Sequence, residues 1–376
     1  METLLREKSR AGQNTKRGQQ YSRLATKRKS HSHAWVESIR SFNVADAQLG
    51  GRTTIKLQSK NFVQDMALEI KLKDADGNYC VSPGARVVKS VKLSIAGRTF
   101  CEYNYDTVAF LAMHKCENEE RRAKFESFYG PVAPSQTPGT VIVPIYSYWS
   151  TLLDDELRHQ KPWTNPNSAA VLSIELQFAS RAEFTASTDA AMENCKFIYT
   201  ELMLPQNLEN AFRGGDREVA RIDWNDQKNI GITGGTKATH DISALHSGGP
   251  IRCIYLVQKV TGTGSALPRL TTTVRPDEVT MRYNGREVFS EKDNLLEYQQ
   301  FLSGAHMHAN CQPFFINFCE DPMTSDSSGF LPAGTNVLEL DITPGGSGAQ
   351  LLDIIVEYEK IFRKDGVTGR LSRSDN

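Results

Sequence analysis

The chain has 376 residues, 39% hydrophobic and 23% charged, and its 44 basic and 44 acidic side chains balance to a net charge of zero. This composition fits two ordinary folded domains or one large one and excludes a largely disordered chain. No apolar run reaches the roughly 20 residues that a membrane helix needs. The N-terminus lacks the apolar core of a secretory signal, so assembly inside the cell without a signal peptide is expected. Seven cysteines (Cys80, Cys101, Cys116, Cys195, Cys253, Cys311 and Cys319) include no CxxC pair. An odd, scattered set predicts reduced thiols filling cores in an intracellular protein.

Zero net charge conceals a polarity. Residues 1–33 hold nine basic side chains (Arg6, Lys8, Arg10, Lys16, Arg17, Arg23, Lys27, Arg28 and Lys29) against Glu2 and Glu7, a net of +7, which leaves −7 for the rest. Few large apolar residues fall here, so nothing offsets the entropy of ordering, and a flexible basic arm is expected. It reads either as a solvated tail or as an arm for an anionic surface, a genome or lipid headgroups. Tyr21 is its only aromatic before His31, which leaves little for base stacking.

From Trp35 the pattern becomes that of strands. Residues 53–57 alternate, and residues 67–72 alternate more clearly, before a turn at Asp74-Ala75-Asp76-Gly77-Asn78. Residues 87–95 and 98–103 predict a hairpin, followed by helices over 105–113 and 118–128 that Pro131, Pro134 and Pro138 end. Strands follow at 140–146, where Pro144 favours an edge or bulge, and at 170–178 and 197–203, with a short helical turn at 208–212. Gly214-Gly215-Asp216 is the expected boundary between a first unit, 34–213, and a second, 214–376. In the second, strands are expected at 238–245, 251–260, 278–283, 313–318, 335–342 and 351–362, with 298–302 ambiguous and a polar C-terminal tail.

One stretch occurs twice. Val91, Leu93 and Ile95 alternate up to Gly97-Arg98 and Phe100; Val279, Met281 and Tyr283 alternate up to Gly285-Arg286 and Phe289. The copies lie 188 residues apart, half the chain, which predicts an internal duplication with Gly97, Arg98, Gly285 and Arg286 as structural turns. Many short strands, regular turns and few helices then predict an all-β protein of two consecutive eight-stranded jelly rolls, a double jelly roll, with short helices in its loops.

Nothing in the sequence argues for catalysis or a cofactor. Gly231-Ile232-Thr233-Gly234-Gly235-Thr236-Lys237 lacks the order of a phosphate-binding loop and reads as a plain loop. A duplicated sandwich also suits a bicupin, a metal-dependent enzyme. His306-Met307-His308 is the one fragment of such a site, but the next carboxylate, Glu320, is too distant and the first half has no matching pair. No G-x-S-x-G or H-E-x-x-H is present. A non-enzyme without metal or cofactor is the reading carried forward. The alternatives are the duplicated-cupin enzyme and a cellular carbohydrate- or peptide-binding β-sandwich.

The strand series from about Arg52 to Leu371 resembles the double jelly-roll major capsid proteins of double-stranded DNA viruses, the eukaryotic large-DNA-virus, virophage and Polinton-like branch. Residues 52–72 resemble that family's opening strand pair, and residues 88–97 its I-K-x-V-x-L-x-I-G-G segment. Residues 141–145 with 172–178 resemble later strands of the first roll. Residues 249–258 resemble H-P-V-K-x-L-x-W-V-x-Q, with Gly249 in the histidine position. Tyr283-Asn284-Gly285-Arg286 resembles the L-N-G-x-x-R turn. Residues 315–321 with 332–336, and 356–369, resemble the closing segments, with Glu359 where Asn is usual. The resemblance implies a structural protein of the virion. Its homotrimers would form pseudo-hexagonal capsomers of an icosahedral capsid, touching neighbouring capsomers, penton and minor capsid proteins. It also implies that the connections near 105–138, 179–194 and 296–312 form the outer surface and trimer contacts. The basic arm would then face an internal membrane, a minor capsid protein or the genome.

Overall fold

The computed structural model describes residues 36–58, 61–116, 119–131, 133–147, 150, 152–153, 171–183, 185, 187–203, 217–245, 249–260, 274–292, 295, 298, 314–319, 329–330, 337–364 and 371–373. Alternation in the sequence becomes alternation of burial. In Leu172–Phe178, residues Leu172, Ile174, Leu176 and Phe178 are buried, while Ser173, Glu175 and Gln177 are not, as a strand covered on one face requires.

The first half runs β1 (Val36–Asn43), β2 (Arg52–Leu57), β3 (Phe62–Leu72), one turn of helix α1 (Gly84–Val87), β4 (Val88–Ile95), β5 (Arg98–Asn104), α2 (Tyr105–His114), α3 (Glu119–Phe128), β6 (Thr140–Ile145), β7 (Leu172–Phe178) and β8 (Met192–Met203). Two four-stranded antiparallel sheets result, in the orders β1-β8-β3-β6 and β2-β7-β4-β5. Pro144 lies on β6, an edge strand of its sheet, where a missing N–H costs least.

The second half runs β9 (Arg217–Thr233), β10 (Ala238–Asp241), β11 (Ile251–Val260), β12 (Pro276–Tyr283), β13 (Arg286–Lys292), β14 (Phe314–Asn317), β15 (Leu338–Pro344), β16 (Ala349–Lys364) and β17 (Leu371–Arg373). Its sheets have the orders β10-β15-β12-β13 and β14-β11-β16-β9, with β17 added against the far end of β16. Adding eight to every strand number of the first half reproduces both orders. The chain is therefore two jelly rolls of the same topology.

The repeated hairpin is β4–β5 in one roll and β12–β13 in the other. Its turns have two left-handed residues each, Ala96 (φ 51°) and Gly97 (φ 77°), then Asn284 (φ 51°) and Gly285 (φ 72°). Two such residues match the right-handed twist of the flanking strands. A Cβ on either glycine would meet nothing within 4 Å, so conformation and not space favours glycine. Both hairpins also slip register at the same place, between Leu93 and Ser94 and between Met281 and Arg282.

Several expectations are corrected. β9 runs on to Thr233, so the first three residues of the loop expected at 231–237 are strand, and the turn begins at Gly234. The expected strand over 238–245 stops at Asp241, whose carboxylate accepts hydrogen bonds from Ser243 N (2.9 Å) and Oγ (2.6 Å). That local bonding turns the chain into a 3₁₀ turn, Ser243–Leu245. The helical turn at 208–212, the boundary at 214–216 and most of 298–302 lie outside the described residues.

Candidate functional site at the seam between the rolls

α2 has apolar residues all round and no polar face, which predicts burial on every side. Tyr105, Thr107, Val108, Ala109, Phe110, Leu111, Ala112 and Met113 are all buried. The helix sits between its own roll and the β14-β11-β16-β9 sheet of the other, so this part of 105–138 is not an outer surface as the sequence reading expects. Residues 296–297 and 299–312 lie outside the described residues, and Tyr298 is exposed.

The strands facing α2 are buried on both sides. On β11, Ile254 and Leu256 enter the second roll's own core, while Cys253, Tyr255 and Val257 join the core of the first. On β16, Leu352, Ile354 and Val356 point one way and Ile355 the other. One continuous apolar cluster therefore runs from the first roll into the seam. The rolls share a core and are not two beads.

Aromatic rings fill the seam. His114 stacks on Phe110 (6.0 Å, 7°) and meets the edges of Tyr255 (5.2 Å) and Phe315 (5.3 Å). Nearer the first roll, Trp224 of β9 packs on Tyr146 (5.0 Å) and Tyr103 (6.0 Å). Tyr146 donates its hydroxyl proton to the Ile222 carbonyl (2.6 Å), and Tyr103 donates to the Tyr146 carbonyl (3.0 Å). Each buried hydroxyl is thereby satisfied across or beside the seam.

Charges are buried here too. Lys115, which caps the end of α2, lies 3.0 Å from Glu357 of β16, and Arg252 of β11 approaches the same carboxylate at 3.4 Å. The three side chains are 2%, 0% and 0% exposed. Tyr255 donates its hydroxyl to the other Glu357 oxygen (3.4 Å). At the wetter margin Lys228 pairs with Asp106, and Thr107 donates to Asp226. Such pairs add little net stability over apolar packing but penalise any docking that separates them. They therefore define how the rolls sit together.

Burial, with Lys115 and Arg122 nearby, lowers His114 from 6.5 to about 3. Its folded form is neutral. A base whose folded value is depressed contributes stability that is whole above its unfolded value and is lost as pH falls from about 6.5 towards 3. We expect about 3 kcal/mol of loss from this group between pH 7 and pH 4. Urea unfolding at the two pH values checks this: His114→Phe, which keeps the ring stack, should show a correspondingly smaller drop.

The turn residues lie elsewhere. Arg98 and Arg286 are exposed at the tips of the two hairpins, and neither makes an ion pair among the described residues. The structure does not bring them together. Strand pairing places the start of β1, the β4–β5 turn and the end of β8 at one end of the first roll. The β12–β13 turn and the start of β9 occupy the equivalent end of the second. All nine basic residues of the arm lie outside the described residues, as do His306 and His308. Among the described residues, no group of three or more His, Cys, Asp or Glu is placed to hold a metal. The seam network is what sequence reasoning missed; Lys115 and Glu357 stand 242 positions apart and no local signal links them.

No protein-family model matches the chain, and neither does any curated protein sequence. Solved structures do. The PBCV-1 virus capsid structure matches with a TM-score of 0.69 at 12% identity, over 90% of this chain and 97% of that one. The Faustovirus major capsid protein matches at 0.65 and 10%, over 87% and 90%, and the mavirus major capsid protein at 0.60 and 9%, over 90% of each. These likenesses span both rolls and nearly the whole length of each partner. With the strand order occurring twice and a common core between the copies, the chain has the double jelly-roll fold found in viral major capsid proteins.

Proposed function

We propose that this chain is a major capsid protein, a structural component of the virion of an icosahedral DNA virus, whose trimers form pseudo-hexagonal capsomers. The observation that carries the reading is the repetition of one eight-strand order in two rolls fixed to each other by a buried seam. Three such chains around a threefold axis present six rolls of one topology, so one gene product can occupy a hexagonal lattice. The seam suits that use, because a capsomer built of six rolls needs the two in each chain held at one angle. A sheet edge such as β1, with Ile39 at 77% and Phe42 at 40% exposure, also calls for a neighbour to cover it. The remaining expected partners are adjacent capsomers, penton and minor capsid proteins.

The basic arm leads into the end of the first roll that carries Arg98. In this reading that end faces the particle interior, and the arm meets a membrane, a minor capsid protein or the genome. Light scattering of the purified protein should give about three times the 42.0 kDa chain mass, and a stable monomer would contradict the trimer. Deleting residues 1–33 should leave the trimer intact and impair shell assembly or lipid association; unchanged assembly and association would remove the arm from the proposal.

A further inference from the structure

We propose that Cys253 and Cys319 are a thiol pair that closes to a disulfide by exchange with a small organic disulfide, making a modification site at the edge of the seam. Cys253 on β11 pairs in register with Asn317 on β14. The ladder continues one step further, Phe318 N donating to the Arg252 carbonyl at 2.8 Å. Residues 317 and 319 are therefore held beside residue 253 on one side of the ribbon. Asn317 Oδ1 accepts from the Cys253 thiol (3.5 Å), the Cys319 thiol (3.0 Å) and the Cys319 N–H (3.1 Å). One oxygen thus gathers both sulfurs.

The two thiols are not alike. Cys253 is fully buried, and Cys319 is 7% exposed, so a reagent arriving from solvent meets Cys319 first. The neighbouring Cys253 thiol, then the nearby Arg252 guanidinium, lower the Cys319 thiol from its ordinary value. The neighbouring Cys319 thiol and burial raise Cys253. Cys319 is therefore the attacking sulfur and Cys253 the resolving one. The Cys319 thiolate attacks one sulfur of the reagent; an S–S bond forms, the reagent's S–S bond breaks, and one thiolate leaves. Cys253 then gives up its proton to solvent and attacks the Cys319 sulfur, and the second thiolate departs. Two protein thiols are oxidised and one disulfide reagent is reduced to two thiols.

The bond would tie β11 to the chain just beyond β14, closing a long loop that contains β12 and β13. Such a cross-link should raise the unfolding temperature by several degrees. The described cysteines elsewhere serve as internal controls. Cys80 and Cys101 have thiols raised by burial, and burial pushes Cys195 up to about 12.

The test exposes the full-length native protein to oxidised glutathione, quenches with acid, alkylates the remaining thiols and maps the peptides. The expected product is one Cys253–Cys319 disulfide, lighter by two hydrogens, with the other cysteines alkylated. In Cys253→Ser the first step still occurs and the second cannot, so one glutathione should stay on Cys319; Cys319→Ser should take up none at this pair. The wild-type map stands alone if either variant fails to fold. Alkylation of both Cys253 and Cys319 after oxidation would overturn the proposal. So would glutathione persisting on wild-type Cys319, or a disulfide between any other two cysteines.

Discussion

Glu357→Gln should lower stability by about 3–5 kcal/mol. The variant keeps the shape of the side chain and removes only its charge. Lys115 and Arg252, both buried, would then face a neutral amide at 3.0 and 3.4 Å. The cost arises because two charges taken out of water lose the carboxylate they share. Glu183→Gln is the matching control. Glu183 pairs with Lys89 at 2.7 Å, but the two side chains are 41% and 51% exposed, and water replaces such a partner at a cost of about 1 kcal/mol or less. Equilibrium urea unfolding of both variants checks the contrast. Equal losses would mean that the seam charges have no special role.

Gly249→Ala should cost at least about 3 kcal/mol, through steric conflict and not through lost contacts. A Cβ at residue 249 would lie 1.7 Å from the Glu359 carbonyl oxygen. Both are backbone positions where β11 begins beside β16, joined by Glu359 N donating to the Pro250 carbonyl (2.9 Å), so no side chain can swing aside. The backbone here has no room for any side chain at residue 249. Gly231→Ala, by contrast, meets nothing within 4 Å and should be neutral within about 0.5 kcal/mol. Thermal or urea unfolding of the two variants checks the pair.

What could be read from the sequence was what residues specify locally. The β4–β5 and β12–β13 hairpins were legible because apolar alternation and Gly-Arg turns are short-range signals, and their separation by half the chain revealed the duplication. α2 was legible as a helix, but not its place, since a helix apolar all round gives no direction. β9 was not legible. Asp223, Asn225, Asp226, Lys228 and Asn229 interrupt any apolar alternation, and its extended form comes from pairing with β16 along nearly its full length, a tertiary cause. The seam failed to show for the same reason. Trp224, Tyr255, Phe315 and Glu357 meet Tyr103, Phe110, His114 and Lys115 only after both rolls have formed.

Negative-stain electron microscopy of the purified full-length protein tests the central claim most directly. Capsomers of hexagonal outline, each the size of three chains, are the predicted result. Separate two-lobed particles of one chain, without hexagonal outlines at any concentration, would contradict it.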